Sequence, residues 1–111
     1  MVACPVYCDR HARRRVVHLR YGTSGAAPVL VVTEHPGDPI SGEPIMLDQV
    51  GISHMSFTVP DVQALTTRLL AQGVKTCGPP DAFKGADGRI RTVFVYDPDG
   101  VLVQFDEGLA G

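Results

Sequence analysis

The sequence predicts an α+β fold in which a βαβββ half-barrel module follows a β-hairpin. Three observations support this prediction: several short segments alternate apolar and polar residues, one segment repeats apolar residues at helical spacing, and turns rich in glycine or proline separate these segments. At 111 residues, with 44% hydrophobic and 20% charged residues, the chain has the length and composition of a globular domain. We therefore expect most of the chain to be ordered.

Charge and cysteine content exclude several classes of function. A formal net charge of −2 gives the chain no electrostatic reason to bind nucleic acid or an anionic membrane. The sequence contains no apolar run of the roughly 18 residues that a membrane span needs, and Met1–Arg10 lacks the apolar stretch of a signal peptide. Three cysteines, an odd number, favour a reducing compartment. The sequence thus predicts a cytoplasmic protein.

The first third of the chain is predicted to form the hairpin. Residues Arg15–Tyr21 alternate in polarity, Gly22–Gly25 supply a turn, and Pro28–Glu34 form a second β-rich run. These segments define a first region, residues 1–37. Asp38–Gln49 carry two prolines and one glycine among few β-branched residues, and we expect residues 38–51 to form a surface connector.

Residues 52–111 are predicted to form the module, which begins with a strand and a helix. In Ser53–Val59 every second residue is apolar, which predicts a strand with one packed and one polar face. Asp61 is a favourable N-cap, and Gly73 lies where a helix C-terminal cap is expected. The apolar residues between them recur at helical spacing, so we expect an amphipathic helix over Val62–Gln72.

Three further strands complete the module. The pattern predicts a short strand over Val74–Cys77, a loop over Asp81–Arg89, and two longer strands over Ile90–Tyr96 and Val101–Asp106. The segment Asp97-Pro98-Asp99-Gly100 suits a type I turn between the last two strands. The expected element order is strand, helix, strand, strand, strand.

The hairpin resembles the end of the module in sequence. Val29–Glu34 aligns with Val101–Asp106, and the strands that precede the two segments also align. The pattern favours a true internal repeat over a chance match between strands. On this alignment Val32 of the hairpin corresponds to Gln104 of the module.

Four segments of the module resemble one known superfamily. They are Gly51-Ile52-Ser53-His54, Val59-Pro60-Asp61-Val62, Gly73-Val74 and Val95-Tyr96-Asp97-Pro98-Asp99-Gly100-Val101. In this order they are similar to the glyoxalase, bleomycin-resistance and extradiol-dioxygenase group, the vicinal oxygen chelate superfamily. The resemblance implies two paired βαβββ modules that form a cup, with the helices outside and a metal or small-molecule site on the concave face.

The chain is short for this family. A full first module would need a strand and a helix before Arg15, and Met1–Arg14 is too brief and too polar to supply both. The chain therefore resembles one complete module preceded by a partial one, either because the missing half was lost or because a second copy completes the cup. Open strand edges and an uncovered apolar face favour the second copy, so we expect a homodimer. Alternatively, the hairpin folds over its own module and completes a small closed sheet.

The resemblance also implies which residues could bind a divalent metal ion. In metal-dependent members the ligands lie on the first and last strands of each module. His54 occupies the first-strand position, and Gln104 occupies the last-strand position, where many relatives have Glu. Val32 fills the matching place in the hairpin and cannot bind metal, so Glu34, two residues later on the same face, is the third candidate. Alternatively, His54 and Gln104 line a pocket as hydrogen-bonding side chains.

Three functions fit this pattern. A metal-dependent lyase, isomerase or dioxygenase would chelate vicinal oxygens of a small substrate, although a glutamine amide cannot act as its general base. A metal-free binding protein, as in drug-sequestering members of the family, would hold a small molecule in the same cup. A folded but inactive remnant is the third alternative. The number of donors around the cavity distinguishes them, because a cavity with few donors favours binding or loss of function.

Overall fold

A computed structural model describes residues 14–37, 39 and 41–108 of the chain. Contacts divide the chain into two compact units, Met1–Ser41 and Gly42–Gly111. The segment before Arg14, on which the expectation of a missing strand and helix depends, lies outside the described residues. No helix in the described part of the chain is long and apolar enough to cross a lipid bilayer.

The first unit contains the β-hairpin that the sequence predicts. Its strands, β1 (Arg15–Arg20) and β2 (Val29–Glu34), pair antiparallel along their full lengths. A hydrogen bond of 3.0 Å from the Tyr21 amide to the Pro28 carbonyl closes the connecting loop. Because side chains alternate along a strand, every second residue of β1 and β2 lies on the same side of the hairpin.

The second unit contains one α-helix and one three-stranded sheet, which confirms the α+β fold. The strand order is β3-β5-β4, with β3 parallel and β4 antiparallel to the central β5. A short 3₁₀ helix precedes β4 and occupies part of the predicted loop. The elements are β3 (His54–Thr58), α1 (Val62–Ala71), the 3₁₀ helix (Pro80–Phe83), β4 (Thr92–Tyr96) and β5 (Leu102–Asp106).

The strand expected over Val74–Cys77 is reduced to a single bridge. Thr76 pairs with Val95, and one hydrogen bond on each side of the bridge joins this segment to β4. The ladder ends there because Gly78 turns the chain with a φ of +97° and the two following prolines have no N–H to donate. The module therefore keeps its predicted order, with its second strand shortened to one pairing position.

The core of this unit lies between α1 and one face of the sheet. Val62 of the helix, Val93 and Val95 of β4, and Ile90 are buried together. Other partly buried residues pack against them: Val59, Leu69, Val74, Phe83, Val103 and Phe105. The apolar residues that alternate along β4 and β5 thus face the helix as predicted. The residues between them lie on the opposite face of the sheet.

A side-chain cap and a glycine fix the two ends of α1. Asp61 caps the N-terminus as predicted, because its Oδ1 accepts a 3.0 Å hydrogen bond from the Ala64 amide. At the other end Gly73 has a φ of +83°, a left-handed conformation that glycine adopts without steric cost. These caps set where β3 ends and where the segment leading to β4 begins.

Candidate functional site

The candidate site lies on the sheet face opposite α1, which we call the distal face. Strand pairing arranges its residues in three rows across β3, β5 and β4. The rows are His54, Leu102 and Tyr96; Ser56, Gln104 and Phe94; and Thr58, Asp106 and Thr92. Aromatic and apolar side chains therefore predominate at one end of the face, and hydroxyl and carboxylate groups at the other.

His54, the first predicted site residue, begins β3 and is half-buried on the distal face. Its Nδ1 lies 2.9 Å from the Ser53 hydroxyl, and its ring lies 5.3 Å from the ring of Phe94 at an angle of 59°. These two contacts fix the orientation of the imidazole. Nε2 makes no hydrogen bond to any described residue, so it can donate a hydrogen bond to a ligand or accept one from it, depending on the tautomer of the ring.

Gln104, the second predicted residue, lies on the central strand β5 and is half-buried. Its amide nitrogen donates a 3.1 Å hydrogen bond to the Thr92 hydroxyl on β4. This contact holds the side chain across the face, and Oε1 makes no hydrogen bond within the described part of the chain. The amide oxygen is thus an oriented acceptor.

The structure brings His54 and Gln104 together on one face of adjacent strands, but not directly opposite each other. Leu102 pairs with His54 and Ser56 pairs with Gln104, so the two site residues are diagonal neighbours. Glu34, the third predicted residue, ends β2 in the other unit. There it is exposed, and its carboxylate forms a 3.3 Å ion pair with Arg15.

Asp106 is a residue of this face that sequence reasoning missed. Its carboxylate accepts hydrogen bonds from the Ser56 hydroxyl at 2.6 Å, from the Gly108 amide at 2.8 Å and from the Thr58 hydroxyl at 3.4 Å. The bond from Ser56, more than those from Gly108 and Thr58, holds the pKa of the Asp106 carboxyl below its usual value. The signal was available, because Asp106 lies two residues after Gln104 and shares its face.

Tyr96 and Cys77 extend the aromatic end of the face. The Tyr96 hydroxyl donates a 3.3 Å hydrogen bond to the Cys77 sulfur. This bond to Cys77 raises the pKa of the Tyr96 phenol above its ordinary value. The Tyr96 phenol therefore remains protonated near neutral pH in this arrangement, and it offers a polar group without charge.

An open cavity of about 350 Å³ lies near the end of α1. Its lining comprises Gln72, Gly73, Val74, Lys75, Tyr96, Asp97 and Pro98. Tyr96 is the one distal-face residue among them, so this cavity and the His54–Gln104 pair are separate candidate sites.

The described residues of the second unit do not by themselves fit a metal ion. No group of three or more His, Cys, Asp or Glu side chains converges among the residues that the structure describes. His54 and Gln104 supply one nitrogen and one amide oxygen, whereas both oxygens of Asp106 already accept hydrogen bonds. Even a catalytic zinc site typically uses three protein ligands. A metal would need further donors from outside this set.

Comparisons with known proteins place the fold. The sequence model of the family described as Glyoxalase/Bleomycin resistance protein/Dioxygenase superfamily matches residues 9–105. No curated protein sequence matches the chain.

Two solved structures share this fold at low sequence identity. The trypanothione-dependent glyoxalase I of Leishmania major is 23% identical with a TM-score of 0.62, over 86% of this chain and 60% of that one. The protein SMU.1112c is 21% identical with a TM-score of 0.56, over 86% of this chain and 77% of that one. The chain thus spans about 60% of the Leishmania enzyme, and these matches show the fold alone.

Proposed function

This chain belongs to the Glyoxalase/Bleomycin resistance protein/Dioxygenase superfamily, and we propose that it binds a small molecule on its distal face. One observation carries the proposal. Nε2 of His54 and Oε1 of Gln104, which make no hydrogen bond to a described residue, lie on the same face as the half-buried ring of Phe94 and the buried side chain of Leu102. Apolar surface with a few oriented polar groups is the usual composition of a small-molecule site.

The chemistry of these groups favours a neutral ligand that carries hydrogen-bonding oxygens. The ring of Phe94, which contacts the His54 ring on one side, offers an apolar surface to a flat ligand. The Gln104 oxygen would accept a hydrogen bond from a ligand hydroxyl, and His54 would contact a second oxygen. Asp106, the carboxylate of this face, is occupied by Ser56 and Gly108, so the arrangement supports binding without a general base.

A second candidate function includes a divalent metal ion, with His54 and Gln104 as its ligands from the second unit. The hydrogen bond between Ser53 and Nδ1 of His54 favours it, because such a contact orients a metal-bound imidazole and leaves Nε2 as the ligand atom. A bound divalent ion would supply Lewis acidity to a substrate with vicinal oxygens, as a lyase, isomerase or dioxygenase requires. Donors beyond the second unit are necessary for this candidate.

A second copy of the chain would complete the site. Members of the superfamily often form dimers. Within its sheet β3 is an edge strand, which pairs with β5 on one side. A homodimer would cover such an edge and enclose the distal face as a cup. We place the protein in the cytoplasm, where a free thiol such as that of Cys77 persists.

Catechol, which combines a flat ring with vicinal hydroxyls, is a suitable probe of this site. We expect it to shift the side-chain NMR signals of Gln104 and His54 in protein treated with a chelator, and we expect Gln104→Ala to abolish the shift of the His54 signal. Gln72→Ala, in the separate cavity, is the matched control. Shifts confined to Gln72, or unchanged binding by Gln104→Ala, would contradict the proposed site.

The same titration distinguishes the two candidate functions. Catechol binding of equal affinity with chelator and with added zinc supports the metal-free protein. Binding that requires zinc and is lost in His54→Ala supports the metal-dependent candidate.

A further inference from the structure

Residues 45–52 form an ordered turn whose apolar side chains face solvent, and we call this segment the apolar turn. The Gln49 amide donates a 3.1 Å hydrogen bond to the Met46 carbonyl, and the Gln49 side chain accepts one of 2.8 Å from the Met46 amide. Val50 is 101% exposed and Ile52 is 88% exposed, and Met46 and Leu47 are also exposed. With Ile45, the turn displays five exposed large apolar side chains on a hydrogen-bonded backbone, which is the composition expected of an association surface.

The apolar turn carries a single charged residue, Asp48. Its carboxylate makes no hydrogen bond or ion pair with any residue that the structure describes. A partner for this surface therefore needs apolar side chains around a positive charge.

The β-hairpin offers such a surface, which we call the valine face. Strand pairing places six side chains on it: Val16, His18, Arg20, Val29, Val31 and Thr33. Its valines are exposed, with Val31 at 51%. A two-stranded sheet is only marginally stable when both faces are in water, so covering this face would stabilise the hairpin.

Arg20 is the positive charge of the valine face. Among the described residues its guanidinium makes one hydrogen bond, of 3.4 Å, to the Ser24 carbonyl. By contrast, Arg15, on the opposite face of the hairpin, is paired with Glu34. Arg20 is therefore available to a carboxylate, and the valine face matches the apolar turn in both hydrophobicity and charge.

We propose that the apolar turn of one copy packs on the valine face of a second copy, with Asp48 beside the partner's Arg20. Every chain carries one of each surface, so a two-fold axis would make the contact twice and close the assembly. Two reciprocal contacts also help to reach the roughly 1,200–2,000 Å² that stable interfaces bury. The inference rests on the homodimer of the proposed function and adds to it a pair of contacts separate from the β3 edge.

Charge exchange tests this pairing directly. By light scattering the wild type should have about twice the mass of one 11.9 kDa chain. We expect Arg20→Asp and Asp48→Arg each to weaken the dimer by at least about tenfold, since each sets two like charges together at both contacts. An equimolar mixture of the two variants should recover the dimer, because both contacts then join opposite charges. The double variant should recover it for the same reason.

Arg68→Asp and Glu43→Arg, exposed charge changes outside both surfaces, should leave the mass unchanged. Circular dichroism confirms that each variant is folded. A wild type that stays monomeric at protein concentrations from about 1 to about 100 µM, where a dimer with a micromolar dissociation constant would form, would overturn the pairing. A mixture of the two variants that stays monomeric would also overturn it. So would binding of the wild type to phosphatidylcholine vesicles through the apolar turn.

Catechol binding separates this inference from the proposed function. Single variants that remain dimeric and still bind catechol would show that the surfaces are wrong while the site stands. Single variants that become monomeric but remain folded, with recovery on mixing, support the pairing whatever their affinity for catechol.

Discussion

The Ser56 hydroxyl on β3 donates a 2.6 Å hydrogen bond to Oδ2 of Asp106 on β5, which links residues 50 positions apart. This bond is the largest cause of the lowered pKa of Asp106, followed by the Gly108 amide. A carboxyl whose pKa is lower in the folded than in the unfolded chain stabilises the fold above the unfolded value of about 3.9. That contribution is lost as the pH falls through the lower, folded pKa.

Replacing the donor should move this titration. We expect Ser56→Ala to raise the pKa of Asp106 towards its ordinary value, and the protein should lose less stability than the wild type when acidified below about pH 4. Carboxyl ¹³C NMR across the pH range measures the pKa directly. Thr67→Ala, which removes an exposed hydroxyl from α1, is the control. An Asp106 titration that is identical in Ser56→Ala and wild type would refute this cause.

Val93 is fully buried between β4 and α1 and should be the most sensitive core position of the second unit. Val93→Ala removes two methyl groups and leaves a cavity, so we expect it to lower the free energy of unfolding by about 2–3 kcal/mol. Leu70→Ala, at an exposed position of α1, should cost less than about 1 kcal/mol. Urea titrations measure both values, and equal losses would show that the packed face is assigned wrongly.

The turn between β4 and β5 depends on one carboxylate oxygen. The Oδ1 of Asp97 accepts hydrogen bonds from the Asp99 amide at 2.9 Å and the Val101 amide at 2.8 Å, and the Gly100 amide bonds to the Asp97 carbonyl at 3.0 Å. Asp97→Ala should therefore destabilise the protein by about 1–2 kcal/mol, whereas Asp97→Asn retains an acceptor and should lose less.

Asp99 provides the matched control for this turn, because its own carboxylate makes no hydrogen bond within the described residues. Asp99→Ala should change the stability by less than about 0.5 kcal/mol. If thermal or urea unfolding ranks Asp99→Ala below Asp97→Ala in stability, the role given to the Asp97 oxygen is incorrect.

Local signals explain why most of the fold was predictable. The Asp61 cap, the strand β3 and the turn at Asp97 each depend on signals within a few residues, and all three appear where the sequence predicts them, although Met55 of the expected packed face is exposed. The length of the strand over Val74–Cys77 was overestimated, because the β propensity of single residues does not show that Gly78 ends the pairing after one position. A strand this short depends on β4, its neighbour in space, rather than on its own residues.

The site was predictable in part for the same reason. A period of two residues fixes the face of a strand, so His54 and Gln104 could be assigned to one side of the sheet from sequence. Their diagonal relationship could not be, because it depends on the register between β3 and β5, which are far apart in the chain. The bond from Ser56 to Asp106 depends on the same register, and it was missed.

The N-terminus of α1 leads to the last prediction, since a second carboxylate besides Asp61 reaches it. The Oε1 of Glu107 accepts hydrogen bonds from the Val62 amide at 3.2 Å and from the Arg89 guanidinium at 2.8 Å. Glu107→Ala should therefore cost about 1–2 kcal/mol, because it leaves a helix N–H without its partner and removes a negative charge from the positive end of the helix. Glu107→Gln keeps an acceptor oxygen and should retain part of this stability.

Arg89→Ala removes a half-exposed ion-pair partner and should cost less than about 1 kcal/mol. Urea titrations that rank Arg89→Ala as the more damaging change would show that the ion pair, rather than the helix contact, is the main role of Glu107.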